Sequence, residues 1–158
     1  MDFAGSLRND VLEKLMAFCA YQDRCKQDVV KKLNKLEVPT QHHQGYIAQL
    51  VEDKFIDESR FTRAFIKGKL NQNKWGKRKI KYALQQKKIP DYLIVEGFEQ
   101  IEEDSYFLLA VKVAKKKQRS LKETDTWKRK QKIQAYLAQK GFEFDVIKRV
   151  VSEVESND

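Results

Sequence analysis

The chain has 158 residues, 41% of them apolar and 35% charged, with a formal net charge of +9. That length and apolar share support a modest core or a short run of small units, and the surplus of Lys and Arg points to an anionic partner. Two cysteines are too few for the disulfide frame of a small secreted domain, no apolar run reaches the length of a membrane span, and MDFAGSLRND lacks the pattern of a secretory leader. The sequence therefore predicts a cytoplasmic protein with reduced thiols rather than an exported or membrane-inserted one.

Only two prolines and six glycines interrupt a chain rich in Leu, Lys, Gln, Glu and Ala, which predicts an all-α fold. A first helix is expected at about 8–21, where Val11, Leu15 and Phe18 form an apolar stripe. Cys25 stands four residues before Val29, at the start of a second helix, where non-helical backbone angles are wanted. Val29 and Leu33 mark the inner face of that helix, Val38 the turn after it, and Ile47 and Leu50 a third helix.

The next leading helix is expected at about 58–71, with Phe61 and Phe65 inward. Gly76 precedes Ile80 as Cys25 precedes Val29, Ile80 and Leu84 define another second helix, and Ile89 its turn. Pro90 suits the first turn of the following helix, where its missing N–H removes no bond, and Phe98 and Ile101 lie on that helix. A last leading helix is expected at about 104–118 with Phe107, Leu108 and Val111, followed by a polar loop over 117–125. Asp125 or Thr126 then caps a helix carrying Ile133 and Leu137, which Gly141 stops before Phe142, Val151 and Val154.

These elements repeat. Val29-x3-Leu33-x4-Val38 recurs as Ile80-x3-Leu84-x4-Ile89 and as Ile133-x3-Leu137-x4-Phe142, and the positions nine and twelve further on are apolar each time. Five positions returning three times at one spacing predict three tandem three-helix units, at 8–53, 54–103 and 104–156, in an elongated, curved array.

Between Leu50 and Pro90, LVEDKFIDESRFTRAFIKGKLNQNKWGKRKIKYALQQKKIP resembles the central signature of the RecX family. The matching features are Leu50, the turn Phe55-Ile56-Asp57, the helix-opening pair Arg60-Phe61, and then Gly76, Arg78, Ile80 and Leu84. Upstream, DRCKQDVVKKLNKL is similar to the family's Arg-Ser-x-x-Glu-Leu-x-x-Lys-Leu, with Cys25 where Ser is common and Asp28-Val29 where Glu-Leu is common. A small residue and a first-turn carboxylate survive both departures. The third unit carries the resemblance through the repeat and its YLAQKGF ending. The resemblance implies a helical regulator, monomeric and without a cofactor. On that resemblance it would bind the RecA–DNA filament and lower ATP hydrolysis and strand exchange in DNA repair and the SOS response.

Charge is unevenly placed, since residues 66–140 hold 20 Lys/Arg against 8 Asp/Glu and the flanks hold 12 against 15. Lys77, Arg78, Lys79 and Lys81 surround the helix start at Gly76, whose amides would add positive potential for an anion. Trp75 before them could stack on a base or pack in the core. Lys112, Lys115, Lys116, Lys117, Arg119 and Lys122 form the longest basic run, and Lys128, Arg129, Lys130 and Lys132 continue it beside Trp127. Exposed basic residues can simply keep a helix soluble, but like charges in a row repel unless an anion compensates them. These are the candidate partner- and DNA-binding residues.

Catalysis finds no support. Adjacent His42 and His43 would point about 100° apart on a helix, and Cys19 and Cys25 lack the spacing of a zinc-ligand pair, so no metal is expected. Phosphate loops and nucleophile elbows are absent. Asp57, Glu58 and Glu102-Glu103-Asp104 read as first-turn helix acids. The alternative to a filament regulator is a stand-alone helical DNA-binding module acting through the basic face alone.

Overall fold

The computed structural model describes residues 7–156, so the expectation drawn from MDFAGSLRND falls mostly outside the described residues. Among these residues there are helices and no strands. The first triplet is α1 (Asn9–Tyr21), α2 (Lys26–Lys35) and α3 (His43–Glu52), with a 3-10 turn at Thr40–His42 leading into α3. The second is α4 (Glu58–Asn71), α5 (Lys77–Gln86) and α6 (Asp91–Glu99); the third is α7 (Glu103–Ser120), α8 (Thr126–Gln139) and α9 (Phe144–Ser156).

The recurring apolar positions face inward. All are buried except Phe98 and Ile101, which are half-buried against the core. Two more positions on each third helix share that interior: His43 and Tyr46, Ile94 and Gly97, and Ile147 and Val150. Gly97 lets α6 lie close to α4, because a Cβ there would sit 2.6 Å from the Ile66 Cδ1. A glycine and a histidine carry no apolar signal, which is why the sequence pattern passes over these positions.

The turn between second and third helices is the same in each unit. Glu37, Lys88 and Gly141 adopt positive φ, at 59°, 59° and 97°. The next residue then donates its N–H back to the helix, Val38 to Leu33, Ile89 to Leu84 and Phe142 to Leu137, at 3.0, 3.1 and 3.1 Å. This left-handed stop satisfies carbonyls that the helix end would leave bare and turns an apolar side chain inward.

Each second helix starts at the expected residue. Cys25 and Gly76 have extended backbone angles at the caps of α2 and α5, and Asp125 caps α8 by accepting from the Lys128 N–H. The first two starts are capped from the following unit. The Lys26 N–H donates to Glu58 Oε2 on α4, and the Lys77 N–H donates to the Tyr106 hydroxyl on α7. Asp125 does this locally in the third triplet.

Three expectations need correction. Leu108 is 60% exposed, whereas Val111 is buried as expected, together with Tyr106, Ala110, Val113 and Ala114. The stripe is therefore centred on Tyr106, Ala110, Val113 and Ala114 as well as Val111, and the alanines and the tyrosine carry a weaker apolar signal than Leu108 does. Helix α7 also runs to Ser120, so the loop occupies only 121–125. Pro90 sits immediately before α6 rather than within its first turn.

The buried residues form two clusters. One is internal to the first triplet, around Leu15, Val29, Leu33 and Leu50. The other runs continuously through the second and third triplets and takes in Cys25 from the first. The link between the first two triplets is otherwise polar: Arg60 Nε to Asp23 at 2.6 Å and Lys87 Nζ to Asp28 at 2.8 Å.

Candidate functional site

The start of α5 is a joint, not an open anion cradle. The Gly76 N–H donates to the Lys140 carbonyl at 2.7 Å, the Arg78 N–H to the Gly141 carbonyl at 2.9 Å, and the Lys77 N–H to the Tyr106 hydroxyl at 2.9 Å. The amides expected to attract a phosphate are therefore occupied by the turn between α8 and α9 and by α7. Tyr106 in turn donates its hydroxyl to Glu143, and burial together with that carboxylate raises the tyrosine pKa well above its ordinary value.

Around this joint the basic side chains divide. Trp75 is half-buried against the core, with Lys69 and Lys79, both partly exposed, each 4.7 Å from its ring in a cation–π arrangement. Lys77 lies 4.5 Å over the Tyr106 ring and Lys117 4.9 Å over Tyr136. Arg78 and Lys81 are exposed.

Lys79 on α5, Lys116 on α7 and Lys140 at the end of α8 come together from three elements. Lys140 reaches back to the Asn73 carbonyl at 2.8 Å, and burial, followed by the charges of Lys79 and Lys116, holds its pKa below the ordinary lysine value. Sequence reading missed Lys140 because it noticed only the glycine after it. Lys69 was missed as well.

On α7, Lys112, Lys115, Lys116 and Arg119 are exposed, as is Lys122 in the following loop. On α8, Lys128 and Lys130 are exposed. Arg129 belongs elsewhere: it lies 3.3 Å from Glu155, whose side chain is 2% exposed, and donates to the Glu123 carbonyl at 2.9 Å. Lys132 approaches Glu123 at 3.6 Å. The basic run on α8 is thus partly neutralised by α9 and the loop before it, whereas α5 and α7 present cations without carboxylate partners among the described residues. Trp127 is 68% exposed.

A groove of about 850 Å³ lies between α4, the end of α6 and the first half of α7. Arg63, Lys67, Lys74 and Lys112 line it, three of them outside the basic clusters singled out in the sequence.

Other candidates take structural roles. His43 is buried with its Nε2 2.8 Å from the Val38 carbonyl, and Cys19 and Cys25 are buried free thiols. Burial pushes the Cys25 thiol up to about 11. Asp57 caps α4 by accepting from the Arg60 N–H, and Glu58 caps α2. Among the described residues no group of three or more His, Cys, Asp or Glu is placed to hold a metal ion, and no helix is long and apolar enough to cross a membrane.

Comparison with known proteins gives a consistent likeness. Residues 57–97 match the family description "RecX, second three-helix domain", and residues 104–151 match "RecX, third three-helix domain". The chain is 26% identical to the regulatory protein RecX of Bacillus cytotoxicus, across 98% of this chain and 59% of that protein. It is 36% identical to the RecX of Clostridium botulinum strain Eklund 17B, across 66% of this chain and 49% of that protein. It thus spans about half to three-fifths of the length of such relatives. A crystal structure of a regulatory protein RecX superposes with a TM-score of 0.82 at 25% identity, covering 94% of this chain and 72% of that one. The crystal structure of RecX from Lactobacillus salivarius superposes with a TM-score of 0.82 at 20% identity, covering 93% and 96%, and supports the fold.

Proposed function

This chain belongs to the RecX family, and on that footing we propose that it is a non-enzymatic cytoplasmic regulator that binds the RecA–DNA filament and lowers its ATPase and strand-exchange activity. The units at 8–53, 54–103 and 104–156 would act together as one contact array. The observation carrying this reading is the set of exposed, carboxylate-free cations on α5 and α7, Arg78, Lys81, Lys112, Lys115, Lys116 and Arg119, displayed on rigid helices. Such a surface suits a repeating anionic polymer such as a DNA backbone or an acidic filament face. DNA contact contributes an electrostatic term to this reading, and contact with the recombinase supplies the preference for coated DNA.

The test is single-stranded-DNA-dependent ATP hydrolysis by the cognate recombinase with increasing amounts of this protein. Inhibition below one protein per filament subunit is expected, and a flat response at every ratio on normally assembled filaments defeats the proposal. Binding to bare and recombinase-coated DNA is compared at two salt concentrations. Equal affinity for both, falling steeply with salt, would instead describe a stand-alone DNA-binding module.

A further inference from the structure

We propose that the groove between α4, α6 and α7 is a docking site for an acidic peptide segment bearing aliphatic or aromatic side chains, a protein contact separate from the cations around Trp75 and Lys79. Its floor is aliphatic: Ile66 and Leu70 are buried beneath it, and Ile101 and Leu109 are half-buried along it. Leu108, another lining residue, is 60% exposed and offers an apolar contact beside that floor.

The rim is basic. Arg63 and Lys67 stand on α4, Lys74 on the turn after it, and Lys112 lines the groove from α7, all exposed, with Glu102 as the acidic lining residue. Among the described residues Lys67 and Lys112 have no carboxylate within ion-pair distance, while Arg63 bonds Ser59 and Lys74 bonds the Asn71 carbonyl. A trough with an aliphatic floor, polar flanks at Asn71, Gln100 and Ser105 and a rim of cations complements a segment that places apolar anchors inward and carboxylates outward. The aromatic residue lining the groove, Tyr106, is 4% exposed and so offers no platform for successive bases, which distinguishes this groove from a single-strand track.

The site spans two units. Gly97 brings α6 onto α4, and Tyr106, locked to the start of α5 and to Glu143, fixes α7 as the opposite wall. Peptide occupancy would therefore depend on the joint between the second and third triplets. This assignment does not require that the recombinase supply the peptide.

The experiment selects twelve-residue peptides from a random displayed library on the full chain, then measures the selected peptides by fluorescence anisotropy. Selected sequences are expected to combine Asp or Glu with Leu, Ile, Phe or Trp. Their Kd should weaken about tenfold or more in Lys67→Glu/Lys112→Glu and in Leu108→Glu, while Lys31→Glu/Lys35→Glu on the first triplet leaves it within about twofold. Leu108 and both lysines are exposed, so these variants retain the fold, checked by circular dichroism. Failure to enrich such peptides, or binding indifferent to the groove variants, overturns the proposal. So does an oligothymidylate probe that loses affinity in those variants while peptides do not. No recombinase enters the assay, so its outcome is independent of the ATPase test.

Discussion

Gly76 and Gly141 meet backbone to backbone: a Cβ on Gly76 would lie 2.4 Å from the Gly141 carbonyl carbon and equally close to the Phe142 nitrogen. The obstacle is main chain, which cannot swing aside as a long side chain can. Gly76 itself has an ordinary extended backbone, φ −78° and ψ 168°, so glycine is needed there for proximity rather than for conformation. Gly141 needs both, since its φ is +97° and a Cβ would meet the Lys79 Cβ at 2.3 Å.

Gly76→Ala is therefore expected to lower stability by about 2 kcal/mol in urea unfolding, within the range of overpacked interiors. Gly141→Ala should cost more, because left-handed strain adds to the clash. A Gly76→Ala protein as stable as the parent would mean that the joint opens without penalty.

The three equivalent turns give an opposite prediction. Glu37 and Gly141 hold the same position in the repeat, yet Glu37 adopts φ 59° with a side chain attached. Relief of left-handed strain is worth about 1–2 kcal/mol and the extra freedom of an unfolded glycine returns about 0.4–1 kcal/mol of it. Glu37→Gly should thus stabilise the protein by about 0.5–1 kcal/mol, read as a higher urea midpoint with an unchanged slope. A lower midpoint would contradict the strain argument.

The polar link between the first two triplets should respond to acid. Burial raises the Asp28 pKa, but the hydrogen bonds from Lys87 and the Cys25 N–H outweigh it and leave the carboxyl below its ordinary 3.8. A carboxyl depressed by folding stabilises the protein fully above its unfolded pKa and loses that contribution as pH falls through the folded one. Asp28→Asn should cost about 1 kcal/mol near neutral pH, given a side chain only partly shielded from water. The stabilities of parent and variant should converge as pH falls below the ordinary carboxyl range and through the lowered folded pKa, and a gap undiminished by acid would assign the effect to something other than the charge.

How much of this the sequence disclosed depends on the chemistry of each position. Apolar repeats, the caps at Cys25 and Gly76 and the stop at Gly141 were legible because periodicity and backbone preference leave direct traces. The burial of Tyr106 and exposure of Leu108 were not, since the buried face of α7 combines two valines with alanines and a hydroxyl-bearing ring whose apolar signal is weak. The basic residues were easy to count and hard to sort. Nothing local distinguishes Lys130, exposed, from Arg129, held by an acid 26 residues away. The amides at the start of α5 were likewise expected to be open because their partners, Lys140, Gly141 and Tyr106, lie in another unit.

Arg129 provides the separation of structural from surface charge. Its guanidinium faces a Glu155 side chain that is 2% exposed and that also accepts from Gln118 Nε2 at 2.7 Å. Arg129→Gln removes the guanidinium charge beside the Glu155 carboxylate and leaves the Gln118 bond in place. The cost should be about 2 kcal/mol, less than the ~3–5 kcal/mol of breaking a fully buried pair. Lys128→Gln and Lys130→Gln alter exposed cations and should stay within about 0.5 kcal/mol of the parent. Binding should sort the same variants in the reverse order: at a temperature where all are folded, the lysine variants weaken association with DNA or filament and flatten its salt dependence, whereas Arg129→Gln retains parental affinity. An Arg129→Gln protein with parental Tm and impaired binding would return this residue to the contact surface, and with it the neutralised end of α8.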